Sequence, residues 1–211
     1  MEHVGGFDPV YPAEVAPSGA ELRERPRFAL LLRSAKLIGD QGEFLCIVRD
    51  VSESGVRLKL FNDLSRMTGL SLEMATGDLF ALDMVWARDG EAGFRFLDPI
   101  DVQRFIGEGG PYPKRPIRLR LRHPARLMIA GEPHAAMIVD LSRQGAGVET
   151  QRHLAIGQRM RLEAEGLPPF DATVCWRRHP GYGLVFTQLM SLEELAERSA
   201  RVQAMSFTEA P

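Results

Sequence analysis

A chain of 211 residues with a net charge of −2, 45% hydrophobic and 26% charged residues is composed like a folded globular protein and is long enough for one large or two small domains. That charge balance argues against a general nucleic-acid binder, and no run reaches the roughly 20 apolar residues that a membrane span needs. Cys46 and Cys175 form neither a disulfide framework nor a zinc spacing, which leads us to expect a reducing, cytoplasmic setting.

Residues 1–20 are rich in Gly, Pro and Ala and lack the basic-then-apolar pattern of a signal peptide, so a disordered tail is expected there. Arg23 and Arg27 follow, four apart, in "RERPR". Short strands are predicted near 28–38, 43–50, 55–61, 78–87 and 92–97, with "DVSESG" (Asp50 to Gly55) turning the second into the third. "DPIDVQRFIG" reads as a short helix, and 108–113 as a linker. From Lys114 the stretch "KRPIRLRLR" leads into a strand: Ile117, Leu119, Leu121, Ala125, Leu127 and Ile129 recur at even spacing, with Arg118, Arg120 and Arg122 between them. Further strands are predicted at 135–140, 145–150, 157–163, 170–177 and 182–188, and "DLSRQG" (Asp140 to Gly145) occupies the corresponding turn. The chain ends in a helical pattern: Ser191 and Glu194 have capping-box spacing, and Leu192, Leu195, Ala196, Ser199 and Val202 share a face.

Sliding the chain by ninety residues superposes Asp50, Ser52 and Gly55 on Asp140, Ser142 and Gly145. The same shift brings Trp86 onto Trp176, Gly93 onto Gly183, Phe80 onto Phe170 and Phe96 onto Phe186, and those tryptophans are the only two. One offset matching both turns and both tryptophans indicates a duplication. Each copy has several short strands separated by Gly, Asp and Pro, so the expected fold class is all-β, with two tandem small antiparallel barrels and short C-terminal helices.

The chemistry centres on the turn and on the arginines upstream of it. A guanidinium presents a planar fork that grips a phosphate or the O6 and N7 edge of guanine. A carboxylate suits the donor-bearing edge of guanine, a serine hydroxyl donates or accepts, and a glycine allows positive φ or close backbone approach. Together they suit a guanine nucleotide with phosphates. The two tryptophans are expected to pack the barrels, and the scattered histidines have no metal spacing. No phosphate loop, metal cluster or catalytic pair is present, so no enzyme is expected.

R-x-x-x-R followed 23 residues later by D-x-S-x-x-G resembles the PilZ domain, a family of bacterial receptors for cyclic di-GMP. The resemblance covers nearly the whole chain after residue 20, as two copies at 21–107 and 114–211. It implies six-stranded barrels, with the arginines on a flexible lead-in segment that closes over the ligand. Carried onto this sequence, it implies a site formed by Arg23, Arg27, Asp50, Ser52 and Gly55. The second copy keeps Asp140, Ser142 and Gly145 and has Arg118 at the second arginine position. Lys114, beside Arg115, stands at the first arginine position, and a lysine lacks the fork. The second site is therefore expected to be the weaker. No cofactor is implied beyond the ligand. The functional expectation is a cyclic di-GMP receptor acting through an unidentified protein partner, with a ligand-independent scaffold as the alternative.

Overall fold

The computed structural model describes residues 28–64, 66–107 and 116–208. The expected tail and linker lie outside them, as do Arg23, Arg27, Lys114 and Arg115. The described residues form two closed six-stranded antiparallel barrels. The first contains β1 (Phe28–Gly39), β2 (Gly42–Ser52), β3 (Gly55–Leu60), β4 (Ser71–Glu73), β5 (Leu79–Arg88) and β6 (Glu91–Phe96), followed by a short helix α1 (Val102–Ile106). The second contains β7 (Arg118–Ile129), β8 (Glu132–Ser142), β9 (Gly145–Glu149), β10 (Arg159–Glu163), β11 (Phe170–Arg178) and β12 (Gly181–Phe186), followed by α2 (Leu192–Thr208). Strand order is β1-β2-β3-β6-β5-β4 in one and β7-β8-β9-β12-β11-β10 in the other, which is the same path walked twice. The three-residue β4 has no predicted counterpart. It is too short to show an alternation by itself, but β10 at the ninety-residue offset marks its place.

Strand alternation decides what fills each barrel. Along β7, Leu119, Leu121, Ala125 and Leu127 are buried while Arg118, Arg120, Arg122 and Arg126 face out. β2 differs, because its run Glu43 to Val48 is buried on both faces. Phe44, Cys46 and Val48 belong to the core of the first barrel, whereas Leu45, 1% exposed, belongs to the core of the second. α2 bridges in the opposite sense: Leu195, Ala196 and Val202 pack on the second barrel and Ala200 on the first. A fully buried leucine contributes about 1.5–3 kcal/mol, so Leu45 makes the docking of the barrels part of the folded core.

Polar contacts fix that docking. Glu43 accepts from the Arg120 backbone N–H at 2.8 Å and from Arg120 Nε at 2.6 Å. Lys36 Nζ lies 3.2 Å from Glu43 and 2.9 Å from Glu73. Gln203 of α2 donates to the Glu43 carbonyl at 3.0 Å and accepts from the Glu43 N–H at 3.2 Å. Gly42 makes room for that amide: at φ +120° it adopts a backbone that side chains rarely take, and a Cβ there would fall on Gln203 Oε1.

Candidate ligand site

Pairing register shows how the site is built. Phe28 stands opposite Val51 as Leu119 stands opposite Leu141, so the preceding residues, Arg27 and Arg118, are equivalent in the two copies. β2 is bulged between Val48 and Asp50, and β8 between Ile138 and Asp140. Val48 and Ile138 point into the cores. Unbroken alternation would aim the next-but-one residue inward too and bury a carboxylate. The extra bulged residue turns Asp50 and Asp140 outward instead. The same device recurs between Met84 and Trp86 in β5 and between Val174 and Trp176 in β11.

These four bulges create one row of facing residues across the outer surface of each barrel. In the second barrel it runs Asp140, Gly147, Gly183, Trp176 over β8, β9, β12 and β11. Arg118 Nη1 lies 2.8 Å from Asp140 Oδ1, and the Gly147 N–H donates to the same oxygen at 3.1 Å. A Cβ at Gly147 would fall on the Asp140 carboxylate, and one at Gly183 would fall on the Trp176 indole. The two side chains therefore lean towards each other over bare backbone. With no side chain at either glycine, the carboxylate and the indole lie directly against the sheet.

In the first barrel the row reads Asp50, Arg57, Gly93, Trp86. Trp86 again covers its glycine, with Arg88 stacked 5.3 Å from the indole ring. Where the second barrel has Gly147, however, Arg57 projects. Its Nε donates to Asp50 Oδ2 at 2.6 Å and its Nη1 to Glu91 Oε2 at 3.3 Å. Arg49 Nε lies 3.6 Å from the other oxygen of Glu91.

The serines and glycines of the motif serve the turn. Ser52 Oγ donates to the Gly55 carbonyl at 3.3 Å and Ser142 Oγ to the Gly145 carbonyl at 3.1 Å, both hydroxyls being buried. Neither glycine has positive φ. Each instead lets a neighbouring strand approach: a Cβ at Gly55 would lie 2.7 Å from the Phe94 carbonyl oxygen, and one at Gly145 would fall on that of Leu184. The tryptophans, expected to pack the barrels, lie against Gly93 and Gly183 from the outer face, with Trp176 44% exposed. The bulge in each strand is what turns them out. Sequence reasoning also missed Arg57 and Glu91, although the ninety-residue offset already set Arg57 against Gly147.

Among the described residues, then, one outer face of each barrel holds a carboxylate–guanidinium pair and an aromatic plane on a single row. A carboxylate accepts the N–H groups of a guanine, an indole stacks on a base, and an arginine at the rim meets phosphate. No group of three or more potential metal ligands occurs among the described residues, and no described helix is long and apolar enough to cross a membrane.

Residues 114–201 match the family described as PilZ domain, so the second barrel with its helix is a PilZ domain. No curated protein matches the chain. Solved structures similar to it include PlzA of Borreliella burgdorferi in complex with c-di-GMP (12% identity, TM-score 0.35, covering 85% of this chain and 95% of that one). YcgR of Escherichia coli in complex with c-di-GMP is 13% identical, with a TM-score of 0.31 and coverage of 84% and 86%. The inhibitor of motility MotI/DgrA of Bacillus subtilis is 13% identical, with a TM-score of 0.35 and coverage of 86% and 100%.

Proposed function

We propose that the chain is a cyclic di-GMP receptor that passes its ligand state to another protein. The observation that carries this is the Arg118–Asp140 pair, set on the outer face of a PilZ domain beside the Ser142–Gly145 turn and on one row with Trp176. Asp140 meets the donor edge of a guanine, and Arg118, half-exposed at the start of β7, meets a phosphate or the opposite guanine edge. Arg23, Arg27, Asp50, Ser52 and Gly55 make up the equivalent site of the first barrel, and Lys114 and Arg115 complete the second.

Calorimetric titration of the full chain with cyclic di-GMP tests this, with GTP as a comparison ligand. Binding of cyclic di-GMP is expected, and Arg118→Ala should weaken it about 10- to 150-fold, the equivalent of one charge-assisted hydrogen bond. A folded chain that takes up no cyclic di-GMP would leave the scaffold reading in its place. Single-stranded DNA serves as a control, because phosphate-driven binding collapses as salt rises.

A further inference from the structure

We infer that the second barrel is the ligand-binding one, and that Arg57 keeps the first barrel shut by occupying its carboxylate. This rests on the receptor reading above and assigns the ligand within it.

The two rows differ at one position. In the second barrel Asp140 and Trp176 lean over Gly147 and Gly183 with no further side chain in the row, while the row Asp50, Arg57, Gly93, Trp86 of the first puts a guanidinium between acceptor and aromatic plane. Arg57 is held from two sides. Asp50 binds its Nε at 2.6 Å, and Glu91, itself 3.6 Å from Arg49, lies 3.3 Å from its Nη1. Two arginines and two carboxylates meet on the outer face of the first barrel. A guanine seeking Asp50 must displace a charge-assisted contact already made, and the group it displaces has to move off the row on which a base would lie. In the second barrel the position of Arg57 is Gly147, so among the described residues no guanidinium rises from the row itself. Asp140 receives Arg118 and the Gly147 N–H on Oδ1, and Oδ2 accepts no hydrogen bond among the described residues. Arg118 is moreover the first residue of β7, at the rim of the barrel, and is not a member of the row.

The arginine half favours the first barrel, since Arg23 offers a fork where Lys114 offers a single charge. That difference concerns one donor group. Arg57 acts on two requirements together, the acceptor and the surface beside it, and so outweighs it.

The test is calorimetry on the full chain with cyclic di-GMP, using the parent, Asp140→Asn, and Asp140→Asn combined with Arg57→Gly. The parent should bind, Asp140→Asn should weaken binding by about tenfold or more, and adding Arg57→Gly should restore it through the newly opened first barrel. Arg57→Ala replaces the glycine if thermal melting shows that β3 has been loosened. Asp140→Asn binding as tightly as the parent would overturn the assignment. So would double variants, glycine and alanine alike, that melt normally yet stay as weak as Asp140→Asn alone. A parent that does not bind at all is a different failure: it removes the receptor reading itself, and this inference with it.

Discussion

At the scale of single residues, the D-x-S-x-x-G motif divides into a part that faces outward and a part that makes the turn. The aspartates are turned out by bulges, whereas Ser142 donates inward to Gly145, and Gly145 lies against the Leu184 carbonyl. Gly145→Ala should therefore destabilise the barrel by about 1–3 kcal/mol through backbone displacement. Ser142→Ala, which loses one buried hydrogen bond, should cost about 0.5–1.5 kcal/mol. Denaturant midpoints on the full chain measure both. A Gly145→Ala variant as stable as the parent would show that the strands can part there without cost. The residue types of the motif were legible in the sequence because the chemistry needs them. Their division of labour was not, because a buried serine that closes a turn and a serine that binds a ligand are the same letter. Arg57 was hidden for a similar reason: an arginine on the outward face of a strand reads as solvated surface until its 2.6 Å partner is seen.

At the scale of elements, most strands announced themselves by alternation, and the bulges are where alternation misleads. Asp50 and Trp86 each sit two residues after an inward-facing residue, Val48 or Met84, and counting by twos sends both inside. The continuous apolar run from Phe44 to Val48 carried a further signal, since a strand with no polar face is covered on both sides. Its second cover is the other barrel and α2. The start of α2 was readable to the residue: the Ser191 hydroxyl accepts the Glu194 N–H at 3.0 Å, and the Glu194 carboxylate accepts the Ser191 N–H at 2.7 Å. The Ser191 N–H above all, helped by the Arg198 charge, holds Glu194 below its ordinary pKa against the opposing effect of desolvation. Ser191→Ala should cost about 1 kcal/mol, and Ser191→Asp should keep most of it. Thermal unfolding of the full chain reads this, because α2 brings Ala200 and Gln203 to the first barrel. If alanine and aspartate at 191 melted alike, the cap would be unimportant to the docking.

At the scale of the whole molecule, the duplication was legible and the docking was not. Glu43, Leu45, Arg120 and Gln203 make the interface from positions that the repeat does not equate, so sliding one copy over the other passes over them. Glu43 is the hub. Burial on its own would raise its pKa, but the Arg120 backbone N–H, the Arg120 guanidinium and Lys36 together hold it below the ordinary glutamate value. The sign of the pH effect follows. A carboxyl with a lowered folded pKa contributes its full stability above the unfolded value, about 4.3, and loses that contribution as pH falls through the lower folded value. Acidification below about pH 4 should thus loosen the barrels from one another, with no such change near neutral pH. Glu43→Gln keeps the size of the side chain and removes the charge, so at pH 7 it should cost about 1.5–3 kcal/mol and should flatten that part of the acid profile. Arg118 and Arg120 lie two residues apart on β7, one paired with Asp140 in the site and the other with Glu43 across the interface. A ligand that draws on Arg118 therefore acts on the strand that fastens the barrels together. Denaturation from pH 7 down to pH 3 checks the assignment. An acid profile identical in Glu43→Gln and the parent would show that other carboxylates set the acid limit and that Glu43 is not the residue holding the two halves in register.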